Sequence, residues 1–231
     1  MNEVLRQEKK YLMNMVDMRL LSGQLRKVMI SDAHNGALGY RIRSLYFDTL
    51  NEGDYENKLD GMELRRKIRL RLYDPQSDFA MLEMKQKEGS NQKKRSLRVS
   101  REDALALTQG DYRCLLEYPD PFAAECYGLM HYRCYRPKTI VEYLREAYIA
   151  KENKIRITFD HQIVATEASF DLFAPKLNLY PVLDPFNGVL EVKYNGFLLS
   201  YLKDLLDLVE RSELSVSKYC LARSVSLSLQ G

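Results

Sequence analysis

Between Arg65 and Tyr73 the chain reads Arg-Arg-Lys-Ile-Arg-Leu-Arg-Leu-Tyr. In a strand, Lys67, Arg69 and Arg71 share one face, and Ile68, Leu70 and Leu72 share the other. Like charges at every second position repel one another unless something anionic lies over them. Other segments carry charged faces of the same kind. Arg6, Glu8 and Lys10 alternate along one segment, Arg41 and Arg43 along a second, and Glu83 sits with Lys85. Lys94 opposes Leu97 and Val99, Arg145 accompanies Tyr143, Arg156 accompanies Thr158 and Asp160, and Glu191 accompanies Lys193. Each strand alone reads as a solvated polar face. Together, faces built from Arg, Lys and Glu with few neutral polar residues between them point to one ionic surface. Arg and Lys neutralise phosphate oxygens, Arg in bidentate fashion. Carboxylates among such cations are useful where they hold a divalent ion that bridges to phosphate. Glu8, Glu83, Asp160 and Glu191 are the candidates. The combination describes metal-assisted phosphoryl transfer, in which positioning and charge stabilisation carry the chemistry.

Such side chains need strands to hold them. The alternation predicts strands over Arg6–Leu12, Tyr40–Phe47, the basic segment, Phe79–Lys87, Lys93–Val99, Thr139–Ile149, Lys154–Ile163 and Val189–Tyr194. Short polar links at Asp74-Pro75-Gln76-Ser77 and Gly89-Ser90-Asn91 make the middle three an antiparallel meander. Helical spacing of Met18, Leu21, Leu25 and Val28, capped by Asp17, predicts a first helix. A capping box at Ser100 and Asp103 opens a second, and Pro121 precedes a third running to Tyr132. Leu198, Leu202, Leu205, Leu206 and Val209 mark an amphipathic cover helix, and Val216–Leu229 reads as helical. Tyr55–Gly61 reads as a connector ending in a turn. The expected class is α+β: an eight-stranded antiparallel barrel, charged inside, with helices outside, over one domain spanning 1–231.

Composition narrows the function. A formal net charge of +3 over 231 residues excludes a bulk polycation of the nucleic-acid-coating kind. Cys114, Cys126, Cys134 and Cys220 show no zinc-ligand spacing, and His34, His131 and His161 are not at metal-ligand spacing. Reduced thiols, a charged N-terminus and no apolar run of ~20 residues predict a cytoplasmic protein without membrane insertion. No P-loop, Rossmann or kinase glycine motif is present.

Seven motifs occur in chain order: Arg6-x-Glu8-x-Lys10, Ser44-Leu45-Tyr46-Phe47-Asp48-Thr49, Lys67-Ile68-Arg69-Leu70-Arg71, Glu83-Met84-Lys85, Ile155–Asp160, Glu191-Val192-Lys193 and Ser217-Lys218-Tyr219. They resemble the VTC (vacuolar transporter chaperone) polyphosphate-polymerase domain of the triphosphate tunnel metalloenzyme superfamily, related to the CYTH domain. The resemblance implies a tunnel binding nucleoside triphosphate and polyphosphate, and ATP-dependent polymerisation with Mn²⁺ or Mg²⁺. It carries phosphate contacts onto Lys10, Arg69, Arg71, Lys85, Lys94, Arg145, Arg156 and Lys218, with Ser217 beside them and Glu191 as metal ligand. The faces themselves add Arg43, Lys67 and Lys193 as phosphate contacts, and Glu8 and Glu83 as metal ligands. Arg69, Arg71, Lys85, Arg156 and Glu191 are the expected catalytic set. Arg6 stands where the CYTH signature has its first Glu, which tilts the expectation from hydrolase to polymerase, and Ser215 stands where a basic residue is expected. No SPX domain or membrane segment is read in the chain, so vacuolar coupling is not expected. A tunnel-type triphosphatase and a non-catalytic polyphosphate-binding module are the alternatives.

Overall fold

A computed structural model describes residues 6–89, 91–214 and 217–228. In chain order, strand β1 (Arg6–Asn14) leads into helix α1 (Met15–Val28), the short β2 (Ile30–Ser31) and the long β3 (Tyr40–Asp48). Helix α2 (Gly53–Leu59) precedes β4 (Leu64–Leu72), β5 (Phe79–Glu88) and β6 (Asn91–Ser100). Then come α3 (Arg101–Thr108), a 3₁₀ turn (Arg113–Glu117), α4 (Pro121–Tyr132), β7 (Arg136–Ala150) and β8 (Ile155–Thr166). The last elements are β9 (Tyr180–Pro181), β10 (Asn187–Asn195), α5 (Ser200–Asp207), β11 (Ser212–Glu213) and α6 (Lys218–Ser228). Eight of the described strands are nine residues or longer, matching the expected set.

The class is mixed α+β, with a large antiparallel sheet and six α-helices among the described residues. The strand order is β11-β1-β10-β8-β7-β3-β4-β5-β6, with β2 on β7 and β9 on β8. This path is linear among the described residues, so the closed barrel expected from the sequence is not confirmed by the backbone pairings.

The chain divides into two compact units. The first comprises Met1–Arg41, Tyr143–Ile163 and Pro181–Val216. Its core sets Met18, Leu21 and Leu25 of α1 and Leu202 and Leu206 of α5 on Ile157, Phe159, Leu190 and Val192 of the strands. Asn14, not Asp17, caps α1: its side chain accepts from the Asp17 backbone N–H at 2.8 Å, leaving Asp17 in the first turn. The cap therefore falls at the end of β1, one residue before the helix begins.

The second unit comprises Ile42–Glu142, Val164–Tyr180 and Ser217–Gly231. Its core sets Ala104 and Leu107 of α3 and Phe122, Ala123 and Met130 of α4 on Leu45, Phe47, Ile68, Leu70, Leu82 and Met84. Ser100 caps α3 as expected, accepting from Asp103 N–H at 3.0 Å. Helix α2 lies where a connector was expected. Its N-cap position, Glu52, has a left-handed φ of 57° and makes no side-chain cap. The cap comes instead from Asp48 at the end of β3, whose carboxylate accepts from the backbone N–H groups of Thr49, Asp54 and Tyr55. In α6 the described helix begins at Lys218; the expected start at Val216 and end at Leu229, and the residue Ser215, lie outside the described residues.

Candidate functional site

In the second unit, register converts the basic strand into a surface. β4 pairs antiparallel with β5, and β5 with β6. Residues directly opposite one another on the polar face fall into rows: Arg65–Lys87–Gln92, Lys67–Lys85–Lys94, Arg69–Glu83–Ser96 and Arg71–Met81–Arg98. On β3, Ser44 lies opposite Arg71 and Tyr46 opposite Arg69. The other face of these strands carries Ile68, Leu70, Leu72, Leu82 and Met84, all buried in the core. The core thus fixes which side the cations take, because a slip of one residue would bury them.

Like charges directly opposite in a sheet are destabilising, and Lys67–Lys85–Lys94 places three ammonium groups in one row across three strands. Glu83 is the one carboxylate in the four rows, and it is buried. Arg69 donates to its Oε2 from Nε at 2.9 Å and from Nη2 at 2.7 Å. Arg71 and Lys94 donate to its Oε1 at 2.5 and 2.7 Å. Four donors fill the four lone-pair directions of the carboxylate. Burial alone would raise the Glu83 pKa, but Arg69 and Arg71, with Lys94, overrule it and hold the group at about 2. Burial lowers the Lys94 pKa, and the nearby Arg71 and Arg69 charges push the same way against the attraction of Glu83. Two buried polar atoms on this face, Arg71 Nε and Ser44 Oγ, have no hydrogen-bond partner. Unsatisfied buried donors are rare, and an anion over the face would meet them.

The first unit carries a different arrangement, in which the charges balance. Glu8 lies opposite Lys193, and Lys10 opposite Glu191, on paired β1 and β10. Lys10 Nζ is 3.1 Å from Glu8 and 3.7 Å from Glu191, and Lys193 Nζ is 3.0 Å from Glu191 and 3.9 Å from Glu8. Arg145 grips Asp160 in bidentate fashion at 2.6 and 2.7 Å, and its Nη2 lies 3.8 Å from Glu191. Burial works against the Lys10 and Arg145 cations, yet Glu191 and Glu8 raise the first and Asp160 raises the second above their ordinary values. Arg156, opposite Lys193, donates to Asp32 at 2.9 Å and to the Tyr40 hydroxyl at 3.1 Å. Asp32 reaches it from the loop before β3, where Gly39 at φ 87° passes so close to the Arg145 carbonyl that a Cβ would meet it at 2.3 Å. Thr158 Oγ1 is buried on this face without a partner.

The structure thus brings Arg69, Arg71, Lys85, Lys67 and Lys94 onto one face of the second unit. Lys10, Arg145, Arg156, Glu8, Glu191 and Lys193 gather in the first. Arg43 is corrected. It shares the core-side face of β3 with Leu45 and Phe47, and its side chain is 2% exposed. Its guanidinium donates to Glu142 at 2.7 Å and to the carbonyls of Leu172 and Ala174 at 3.1 and 2.6 Å, a structural clamp rather than a phosphate contact. Ser217 is spent locally: its hydroxyl accepts from Cys220 N–H at 3.2 Å and lies 3.0 Å from Cys220 Sγ, capping α6. Lys218 opens that helix, half-buried. Ser44, Tyr46, Arg65, Lys87 and Arg98 join the cationic face without having been singled out by alternation, because only register shows which strands lie beside β4.

The expected chemistry implies a divalent metal, and the donor set tests it. Among the described residues no group of three or more His, Cys, Asp or Glu could hold a metal ion. Glu83 does not fit, because its acceptor capacity is filled by three cations. Glu8 and Glu191 also face cations, Lys10 and Lys193, so a divalent ion held there would have to displace an ammonium group. No helix among the described residues is long and apolar enough to cross a membrane.

The VTC domain model matches residues 5–227, and the chain belongs to the VTC domain family. No curated protein matches it. Among solved structures, a Bacillus halodurans protein described as a "putative adenylate cyclase" is similar at 11% identity and TM-score 0.48, covering 88% of each chain. The PH1819 protein of Pyrococcus horikoshii OT3 is similar at 12% identity and TM-score 0.44, covering 97% of this chain and 99% of its own.

Proposed function

We propose that this chain binds linear polyphosphate and transfers the terminal phosphoryl group of a nucleoside triphosphate to it. The observation that carries the reading is the gathering of Lys and Arg side chains from three strands on one face, with Glu83 the one carboxylate in the four rows and the buried Arg71 Nε without a hydrogen-bond partner. Such a face is relieved by an anion that spans rows, and a linear polyphosphate has that shape and charge. Arg69, Arg71 and Lys85 would hold non-bridging phosphate oxygens on the face of the second unit, and Arg156 and Lys10 are the corresponding candidates within the first unit. In the transfer, an oxygen at the end of the acceptor forms a bond to the γ-phosphorus. The bond from that phosphorus to the β-phosphate oxygen breaks, and nucleoside diphosphate leaves. The cations stabilise charge on the transferring group, which is the protein's main contribution in reactions of this class. Glu191 and Glu8 would hold Mn²⁺ or Mg²⁺, which supplies charge neutralisation to the phosphates. The tunnel that the family resemblance implies, and a cytoplasmic setting, belong to the same proposal.

Incubating purified protein with ATP and Mn²⁺ tests it directly. Long-chain polyphosphate and an equal release of ADP are expected. Inorganic phosphate without polymer would overturn the transferase reading in favour of a triphosphatase. Tight binding of tripolyphosphate with no turnover would favour the binding module, a reading with its own support: every carboxylate of the first-unit cluster is already paired with a cation.

A further inference from the structure

We infer that Tyr219 and Asp48 are positioning residues that set Arg69 through the ring of Tyr46, making the C-terminal helix α6 part of the anion site. The inference rests on the reading of the cationic face given above.

The contacts form a continuous path within the second unit. The Asp48 carboxylate is fully buried and accepts four hydrogen bonds. Two come from the Asp54 and Tyr55 N–H groups at the start of α2, one from the adjoining Thr49 N–H, and the fourth from the Tyr219 hydroxyl at 2.7 Å. Burial raises the Tyr219 pKa, and the facing Asp48 carboxylate raises it further, so the phenol stays a donor. The ring of Tyr219 stacks on that of Tyr46, with centroids 5.3 Å apart and planes 25° apart. The Tyr46 hydroxyl then accepts from Arg69 Nη1 at 3.1 Å, while Nε and Nη2 of the same guanidinium grip Glu83. A guanidinium is planar, so a third fixed contact at Nη1 determines its plane as well as its direction.

The same anchor places the start of α6. Ser217 caps the helix, Lys218 is its first residue, and Tyr219 is the residue that docks. Fixing Tyr219 by one strong hydrogen bond and one ring stack therefore fixes the Lys218 backbone relative to β3. A general packing role would need apolar contact only. A phenol donating to a carboxylate that already accepts three backbone N–H groups specifies position, because no other placement of the ring keeps the bond.

Two variants separate positioning from packing. Tyr219→Phe keeps the ring stack and removes the donor to Asp48. Tyr46→Phe leaves the Asp48 cluster whole and removes the acceptor for Arg69. Tripolyphosphate affinity by calorimetry is expected to weaken roughly five- to tenfold in each, the scale of one oriented hydrogen bond to a charged group. In an Arg69→Ala background the same changes should cost almost nothing further, because the path ends at Arg69. The Arg69 Nε–Hε resonance should shift or broaden in both variants. Unchanged affinity and an unchanged Arg69 resonance, alongside lowered thermal stability, would reduce Tyr219 to packing and overturn the inference. If the parent protein does not bind tripolyphosphate, the functional reading fails instead, and the Arg69 resonance still decides the positioning.

Discussion

Replacing Glu83 by Gln removes the counter-charge on which Arg69, Arg71 and Lys94 converge while keeping the side chain's size. A buried carboxyl held at about 2 instead of 4.5 favours its ionised folded form. By linkage this is worth ~3 kcal/mol at neutral pH. The stability is present above the unfolded-state pKa and is lost as pH falls from about 4 towards 2. Glu83→Gln should therefore cost ~2–3 kcal/mol by urea unfolding at pH 7, and flatten the acid limb of the stability profile. The same change should tighten anion binding. A unit charge ~5 Å from a bound phosphate, at an effective dielectric of 20, contributes ~3 kcal/mol of repulsion, and screening at an open strand face takes away much of it. A tripolyphosphate Kd lower by roughly tenfold is expected by calorimetry, with affinity falling more steeply as salt rises. Saturating tripolyphosphate should then restore the lost stability, since ligand that binds only the folded state stabilises by mass action. A variant as stable as the parent that binds tripolyphosphate more weakly would refute this account of Glu83 and of the face around it.

Three further outcomes test separate parts of the structure. Arg43→Met should destabilise the fold by ~3–5 kcal/mol, because it strands the Glu142 carboxylate and two carbonyls, and leave the tripolyphosphate Kd unchanged; a large affinity loss would return Arg43 to the anion site. Burial, partly countered by the hydrogen bond from Tyr135 and reinforced by Asp48, raises the Asp54 carboxyl to about 7. The folded state then holds more protons than the unfolded one between about pH 4 and 7, so stability falls as pH rises through that window. Asp54→Asn should remove that slope, measured by urea midpoints at pH 5 and 8, and an identical slope in both proteins would contradict the assignment. Glu191→Gln should abolish Mn²⁺ binding in the presence of tripolyphosphate by calorimetry while leaving metal-free tripolyphosphate binding intact; unaltered Mn²⁺ binding would remove Glu191 from the metal role.

What the sequence disclosed was periodicity, and what it concealed was partnership. Alternation placed Lys67, Arg69 and Arg71 on one face and Ile68, Leu70 and Leu72 on the other, and the paired strands keep that division. The same rule put Arg43 with the polar residues, since a charged side chain in a strand is read as facing away from the core. Only the tertiary fold supplies Glu142 and the Leu172 and Ala174 carbonyls, which make its burial tolerable. Helix α2 escaped detection for the same reason. Its cap is Asp48, six residues upstream of Asp54 and at the end of a strand, whereas a local signal would lie at Glu52. Asp17 was misread by three positions, because the capping side chain at Asn14 also ends β1.

The two ionic clusters show why charge counts alone could not distinguish their roles. Both are made of Lys, Arg and Glu on alternating strand positions, so in sequence they look alike. Register separates them. In the first unit, opposite residues pair Glu8 with Lys193 and Lys10 with Glu191, and attraction across the strands stabilises the pairing without any ligand. In the second, register sets Lys67 against Lys85 and Lys85 against Lys94, so like charges meet directly across the strands. A shift of two residues between β4 and β5 would have kept every side chain on its present face and put Lys67 opposite Glu83. The observed register instead sets Glu83 opposite Arg69, where it also accepts from Arg71 and Lys94, and gathers the cations of three strands on the face proposed to receive a polyanion.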